Sequence, residues 1–136
     1  MQKIDDILKH RILILDGAMG SLIQGYKLTE EDFRGERFRD ITILQKGNND
    51  LLSLTRPDII EAIHRRYLDA GADIIETNTF NANAVSLEDY DMAGLSKEIN
   101  KAAAQIAKKA ADEYTKQNPD KPRFVAGSIG PTNKTA

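Results

Sequence analysis

Short aliphatic runs alternate with helical patterns along this chain, and each run ends in glycine or polar residues. That alternation constrains the fold more than any other feature. The first run is Ile12 to Leu15, followed by Asp16-Gly17-Ala18-Met19-Gly20. The second is Asp73 to Thr77, followed by Asn78-Thr79-Phe80-Asn81. The third is Arg123 to Ile129, followed by Gly130-Pro131-Thr132-Asn133. Runs of this length and β-branched content read as strands. The first, aliphatic at every position, reads as a strand covered on both faces. Strands separated by helices predict parallel βαβ units with right-handed crossovers, hence an α/β fold.

The helices between them have recognisable ends. Arg56 to Ala70 carries Pro57 in its first turn, where a missing N–H costs nothing. Thr55 is its expected N-cap, and Asp58 and Glu61 complement the positive end of its dipole. Ile59, Ile60, Ile63 and Tyr67 form its apolar face, and Gly71 supplies a left-handed stop. Leu95 to about Lys116 repeats Leu95, Ile99, Ala102, Ala103, Ile106, Ala110 and Tyr114 at helical spacing. Leu22, Ile23 and Tyr26 make a short helix after the first glycine turn, and Thr29 caps another through Phe33. Gln45 to Asp50 reads as a turn-rich loop.

Composition narrows the function. The 136 residues carry a net charge of −2, so no basic field points to nucleic acid or to an anionic membrane. No apolar run approaches the roughly 20 residues that span a bilayer. The acidic, polar start lacks a signal-peptide core, which predicts a cytoplasmic protein. With no cysteine, these residues offer neither a catalytic thiol nor a thiolate metal site. The two histidines, His10 and His64, lack a metal-binding spacing and read as surface or partly buried polar residues.

In a parallel sheet the three polar strand ends converge on one rim, where ligands of α/β proteins bind. The rim supplies the candidate substrate-binding residues Asp16, Gly17, Met19, Gly20, Asn78, Thr79, Phe80, Asn81 and Gly130. Asp16 can pair with an ammonium group, and the N–H groups from Gly17 to Gly20 can receive an anion. Thr77, Asn78, Thr79 and Asn81 offer neutral donors and acceptors. A zwitterionic amino acid satisfies both the charge and the donors. Gly17 and Gly20 are expected to permit a sharp turn or a close approach. Glu76, inside a strand, either faces a polar barrel mouth or pairs with a cation of a neighbouring strand, with the pairing ranked ahead of a catalytic role. The glycines match neither a P-loop nor a dinucleotide fingerprint, and no Ser–His–Asp set is present.

Four ordered blocks carry a resemblance across nearly the whole chain: Leu15 to Ser21, Lys46 to Leu52, Ala70 to Ala82, and Phe124 to Thr135. Together they resemble the amino-terminal part of the homocysteine-binding domain of the cobalamin-dependent methionine synthases, within the homocysteine S-methyltransferase family. The resemblance implies a (β/α)8 TIM barrel, of which residues 1–136 are a single incomplete domain holding about the first three βα units. It implies homocysteine at the carboxyl ends of the strands, with Asp16 and Gly17 on its amino-acid part and Thr79, Phe80 and Asn81 around the same mouth. It also implies methyl transfer from methylcobalamin, recharged by methyltetrahydrofolate, with zinc on three later cysteines activating the thiol.

Because a barrel needs roughly 250 residues, the chain alone is expected to be inactive, with no catalytic residue, metal ligand or bound cofactor of its own. Its partners are then homocysteine, the remainder of the barrel and the cobalamin and folate domains, with self-association covering the open sheet. Two alternatives stand beside this reading. One is a betaine- or S-methylmethionine-dependent homocysteine methyltransferase, which the Lys46 to Leu52 and Gly130 to Thr135 blocks disfavour. The other is a non-catalytic α/β binding module.

Overall fold

The computed structural model describes residues 2–135. In chain order its helices are α1 (Ile4–Leu8), α2 (Met19–Gly25), α3 (Glu30–Arg34), α4 (Leu52–Thr55), α5 (Pro57–Asp69), α6 (Ala84–Leu87) and α7 (Ser96–Gln117). Two strands, β1 (Ile74–Glu76) and β2 (Phe124–Ala126), pair in parallel, with Ile75 opposite Val125. The first aliphatic run joins the other edge of β1 through one parallel bridge, Leu15 to Ile74. All three runs therefore point the same way, as the alternation predicts.

Local chemistry explains where the helices begin and end. Thr29 and Asp32 form a reciprocal capping box on α3, with Thr29 N–H donating to Asp32 Oδ2 at 2.8 Å. Pro57 opens α5. Gly71 follows that helix with φ +103°, the left-handed conformation expected of it. Thr55 is not the cap of α5: it ends α4, and Arg56, at φ −136°, makes the joint between the two helices.

Helices α5 and α7 pack together and against the sheet. Ile75 of β1 is buried in a cluster with Leu68, Ala72, Ala107, Ala110 and Ala111. The small alanine side chains of α7 let its backbone approach the strand closely. A second cluster joins Ile23, Phe33, Leu52, Ile60 and Ile63 from α2 to α5. Arg123, just before β2, donates from Nη1 to the carbonyls of Leu68 and Ala72 at 2.7 and 2.9 Å. It thereby satisfies acceptors at and beyond the carbonyl end of α5, where a cation also suits the helix dipole.

Three further expectations are corrected. The first run is an edge segment rather than a strand covered on both faces: Ile12 is 87% exposed and Ile14 61%. Among the described residues it has a partner on one side only, and periodicity does not distinguish an edge from a centre. The third run keeps ladder geometry only through Ala126, and Ile129 is exposed. His64 is fully buried, on the inward face of α5 between the turns of Ile60 and Leu68. Gln45 and Asn48 lie in the expected loop and are buried within it; Gln45 spans from the Tyr90 carbonyl to the Asn48 amide.

Candidate functional site

A cavity of about 480 Å³ opens at the carboxyl end of β1. Side-chain alternation explains what reaches it. Ile75 points into the helix-packed core, so its neighbour Glu76 projects from the opposite face of the strand. Asp16 arrives from the first run, whose backbone is held beside β1: Asp16 N–H donates to the Ile74 carbonyl, and Glu76 N–H donates to Asp16 Oδ2, both at 2.9 Å. The other carboxylate oxygen, Oδ1, is buried without a hydrogen-bond partner.

Of the candidate residues, Asp16, Gly17, Met19, Gly20, Asn78, Thr79, Phe80 and Asn81 all line this cavity. Gly130 stands just outside and donates its N–H to the Phe80 carbonyl at 3.0 Å. A Cβ at Gly130 would overlap that carbonyl oxygen and lie 2.8 Å from ring carbons of Phe80. Glycine is required there because two loops of the mouth touch. Gly130→Ala is expected to push the loops apart and shift the Phe80 amide and ring resonances. The stability loss is about 1 kcal/mol, because the segment after β2 has room to move; NMR and thermal unfolding read the two effects.

Gly17 is also closely approached: a Cβ would sit 3.1 Å from the Tyr67 hydroxyl, which donates to the Ala18 carbonyl at 2.7 Å, so that ring would have to give by a few tenths of an ångström. Gly20 is not. It lies inside α2 with open space around it, its nearest neighbour being Asn49 Nδ2 at 3.9 Å.

The neutral groups divide into wall and face. Asn78 donates its amide to the Asn49 carbonyl and to Ser53 Oγ. Thr77 and Thr79 share a hydroxyl hydrogen bond of 2.6 Å, and Thr79 donates on to the Ser128 carbonyl. These three are buried and hold the loops in place, so they are scaffold rather than the free donors the sequence suggests. Phe80 and Asn81 are exposed at the rim.

Asn49 and Asp50, outside the three strand ends, enter the cavity from a 3₁₀ turn (Asn49–Leu51), and Ser128 enters from beyond β2. The signal for Asn49 and Asp50 is long-range: Asn78 reaches Asn49, and Asn81 N–H donates to Asp50 Oδ1 at 3.2 Å.

The electrostatics are one-sided. Asp16, Asp50 and Glu76 line the cavity, and no lysine, arginine or histidine does. Burial pushes Asp16 up to about 6, with the Glu76 charge adding to it and the Glu76 N–H opposing. Burial also raises Asp50. Among the described residues Glu76 has no ion-pair partner, which corrects the expectation of a cation from a neighbouring strand. No group of three or more His, Cys, Asp or Glu side chains among the described residues could hold a metal ion, so a three-thiolate zinc site does not fit this chain. No described helix is long and apolar enough to cross a membrane.

A family model described as homocysteine S-methyltransferase matches residues 13–136. The chain is similar in structure to the Escherichia coli homocysteine methyltransferase MmuM. Against the oxidised form the TM-score is 0.72 at 24% identity, covering 94% of this chain and 40% of that one. Against the metallated form it is 0.69 at 23%, covering 93% and 40%. The apo form gives 0.64 at 23%, covering 96% and 41%. At such identities the likeness is one of fold: parallel strands and flanking helices that match part of a TIM barrel. The chain spans about 40% of the length of the enzyme it resembles.

Proposed function

The chain belongs to the homocysteine S-methyltransferase family, and from that membership we propose that its cavity holds the amino-acid end of homocysteine within a larger methyltransferase. The observation that carries this is the buried, unpartnered Asp16 Oδ1 in a cavity lined by acids and by no base. An ammonium group is the complement of that oxygen. The substrate carboxylate is met by the first N–H groups of α2, which lack intrahelical partners. Fixing this end aims the thiol outward, where a methyl donor can approach, and such positioning lowers the barrier by removing orientational freedom.

The parent protein is read as a methionine synthase, with methylcobalamin as donor and methyltetrahydrofolate recharging it. The blocks Lys46 to Leu52 and Gly130 to Thr135 support that donor over betaine or S-methylmethionine. Zinc is proposed for residues outside this chain, and the chain alone is proposed to be inactive and to self-associate through its open sheet edges. Its place is proposed to be the cytoplasm. Assaying the parent protein with each of the three donors decides among them: transfer from methylcobalamin supports the reading, and transfer only from an onium donor overturns it.

For the chain itself, the test is Asp16→Asn, with homocysteine titrated against amide chemical shifts. Removing the charge from a desolvated charge-assisted contact is expected to weaken binding about 30-fold, or about 2 kcal/mol. Unchanged affinity would refute the assignment of Asp16.

A further inference from the structure

We propose that Glu76 is the second carboxylate of an ammonium receptor whose first is Asp16, and that it makes the cavity selective for ligands bearing a free amino group. The inference rests on the amino-acid reading of the cavity and goes beyond it by giving Glu76 a role that the sequence did not. Three observations carry it. Strand alternation turns Glu76 away from the Ile75 core and into the cavity that Asp16 lines. Its own backbone N–H anchors Asp16 Oδ2, so the Asp16 carboxylate is held beside the point where the Glu76 side chain enters the cavity. No cation among the described residues pairs with Glu76, and none lines the cavity.

Two carboxylates held together without a cation repel each other, and the arrangement becomes favourable when a ligand supplies the positive charge. The charged surroundings of Asp16 are few. Glu76 approaches from β1 and Asp50 from the turn before α4, both acidic. Tyr67 of α5 reaches this region with its hydroxyl committed to the Ala18 carbonyl. Arg11, nearby on the same run, is committed to Asp73. A ligand ammonium therefore has no resident competitor except a proton. When Asp16 is protonated, that proton leaves to solvent as the ammonium docks. Binding consequently weakens below pH 6, where Asp16 holds its proton.

The test uses the chain with two ligands, homocysteine and 4-mercaptobutanoate, which differ only in the amino group. Both are titrated by NMR from pH 5 to 8 against the unsubstituted chain and Glu76→Gln. The unsubstituted chain is expected to prefer homocysteine, and Glu76→Gln to lose about tenfold of that preference. In Glu76→Gln the acid limb of homocysteine binding should move to lower pH, because the like charge beside Asp16 is gone. If Glu76→Gln weakens both ligands equally, or leaves the acid limb in place, Glu76 is only structural and the inference is overturned. If Glu76→Gln does not fold, Glu76→Ala serves, since it also removes the charge: loss of amino preference with the acid limb moved to lower pH supports the role, and complete retention with an unmoved acid limb overturns it. Failure of the unsubstituted chain to bind either ligand overturns the amino-acid reading itself, a different outcome from selective failure at Glu76.

Discussion

Replacing Asp73 by alanine is expected to cost about 3 kcal/mol of stability, read as a lower urea midpoint with little change in slope. Asp73 is buried and serves three donors. Arg11 reaches its two oxygens at 3.0 and 2.7 Å, and the Ile14 N–H donates to it at 2.9 Å. The guanidinium holds the carboxyl below the usual carboxylate range, with burial opposing. Alanine would leave the Ile14 N–H unpaired and Arg11 without its partner. It would also loosen contacts that help set the register of the first run, whose pairing with β1 is otherwise a single ladder bridge and a few backbone hydrogen bonds around Ile14 and Asp16. Because the folded pKa is depressed, this stabilisation is present above the ordinary carboxylate value and is lost as pH falls through the lower folded value. Asp73→Asn keeps an acceptor for Ile14 and should lose about half as much. If Asp73→Ala unfolds like the unsubstituted chain, the tether carries no energy.

The second large effect is acid sensitivity from His64. Both ring nitrogens are buried without a partner, and burial pushes the pKa down to about 4, with the Glu61 charge opposing. The sign follows from which state takes the proton. The unfolded chain protonates His64 near its ordinary value of 6.5, while the folded chain resists until about 4. Stability therefore falls as pH drops between those values, by about 3 kcal/mol in full. Asp16 works the other way in the same window. Its folded pKa is raised to about 6, so stability rises as pH falls from there toward 3.8, by about 1 kcal/mol after allowing for its partial exposure. Subtracting the urea stability of His64→Leu from that of the parent chain, at pH 7 and at pH 4, isolates the histidine. The difference should change by about 3 kcal/mol, and a constant difference would show that His64 protonates without cost.

Much of the architecture is written in local chemistry. Pro57, Gly71 and the Thr29–Asp32 box mark helix ends because their effects depend on residues within one turn. The parallel direction follows from strand and helix alternation. The rim was legible for the same reason: once the strands are parallel, Asp16 and the Asn78 to Asn81 segment must share an end of the sheet. What depends on distant partners was not legible. Asn78, Thr77 and Thr79 look like ligand donors until Asn49, Ser53 and Ser128 are found holding them. The exposure of Ile12 and Ile14 depends on what lies on their far side, which an aliphatic run does not encode. His64 did carry a signal, standing four residues from both Ile60 and Leu68 on the buried stripe.

The Arg11–Asp73 tether also sets an order of assembly on the ribosome. Ile14 and the carboxylate that seats it are 59 positions apart, so the amino-terminal segment emerges long before its anchor has been synthesised. Closing a loop of that size carries an entropy penalty of a few kcal/mol, which only the finished anchor offsets. Until then Ile12 to Leu15 lacks the strand and the carboxylate that hold it in the folded chain.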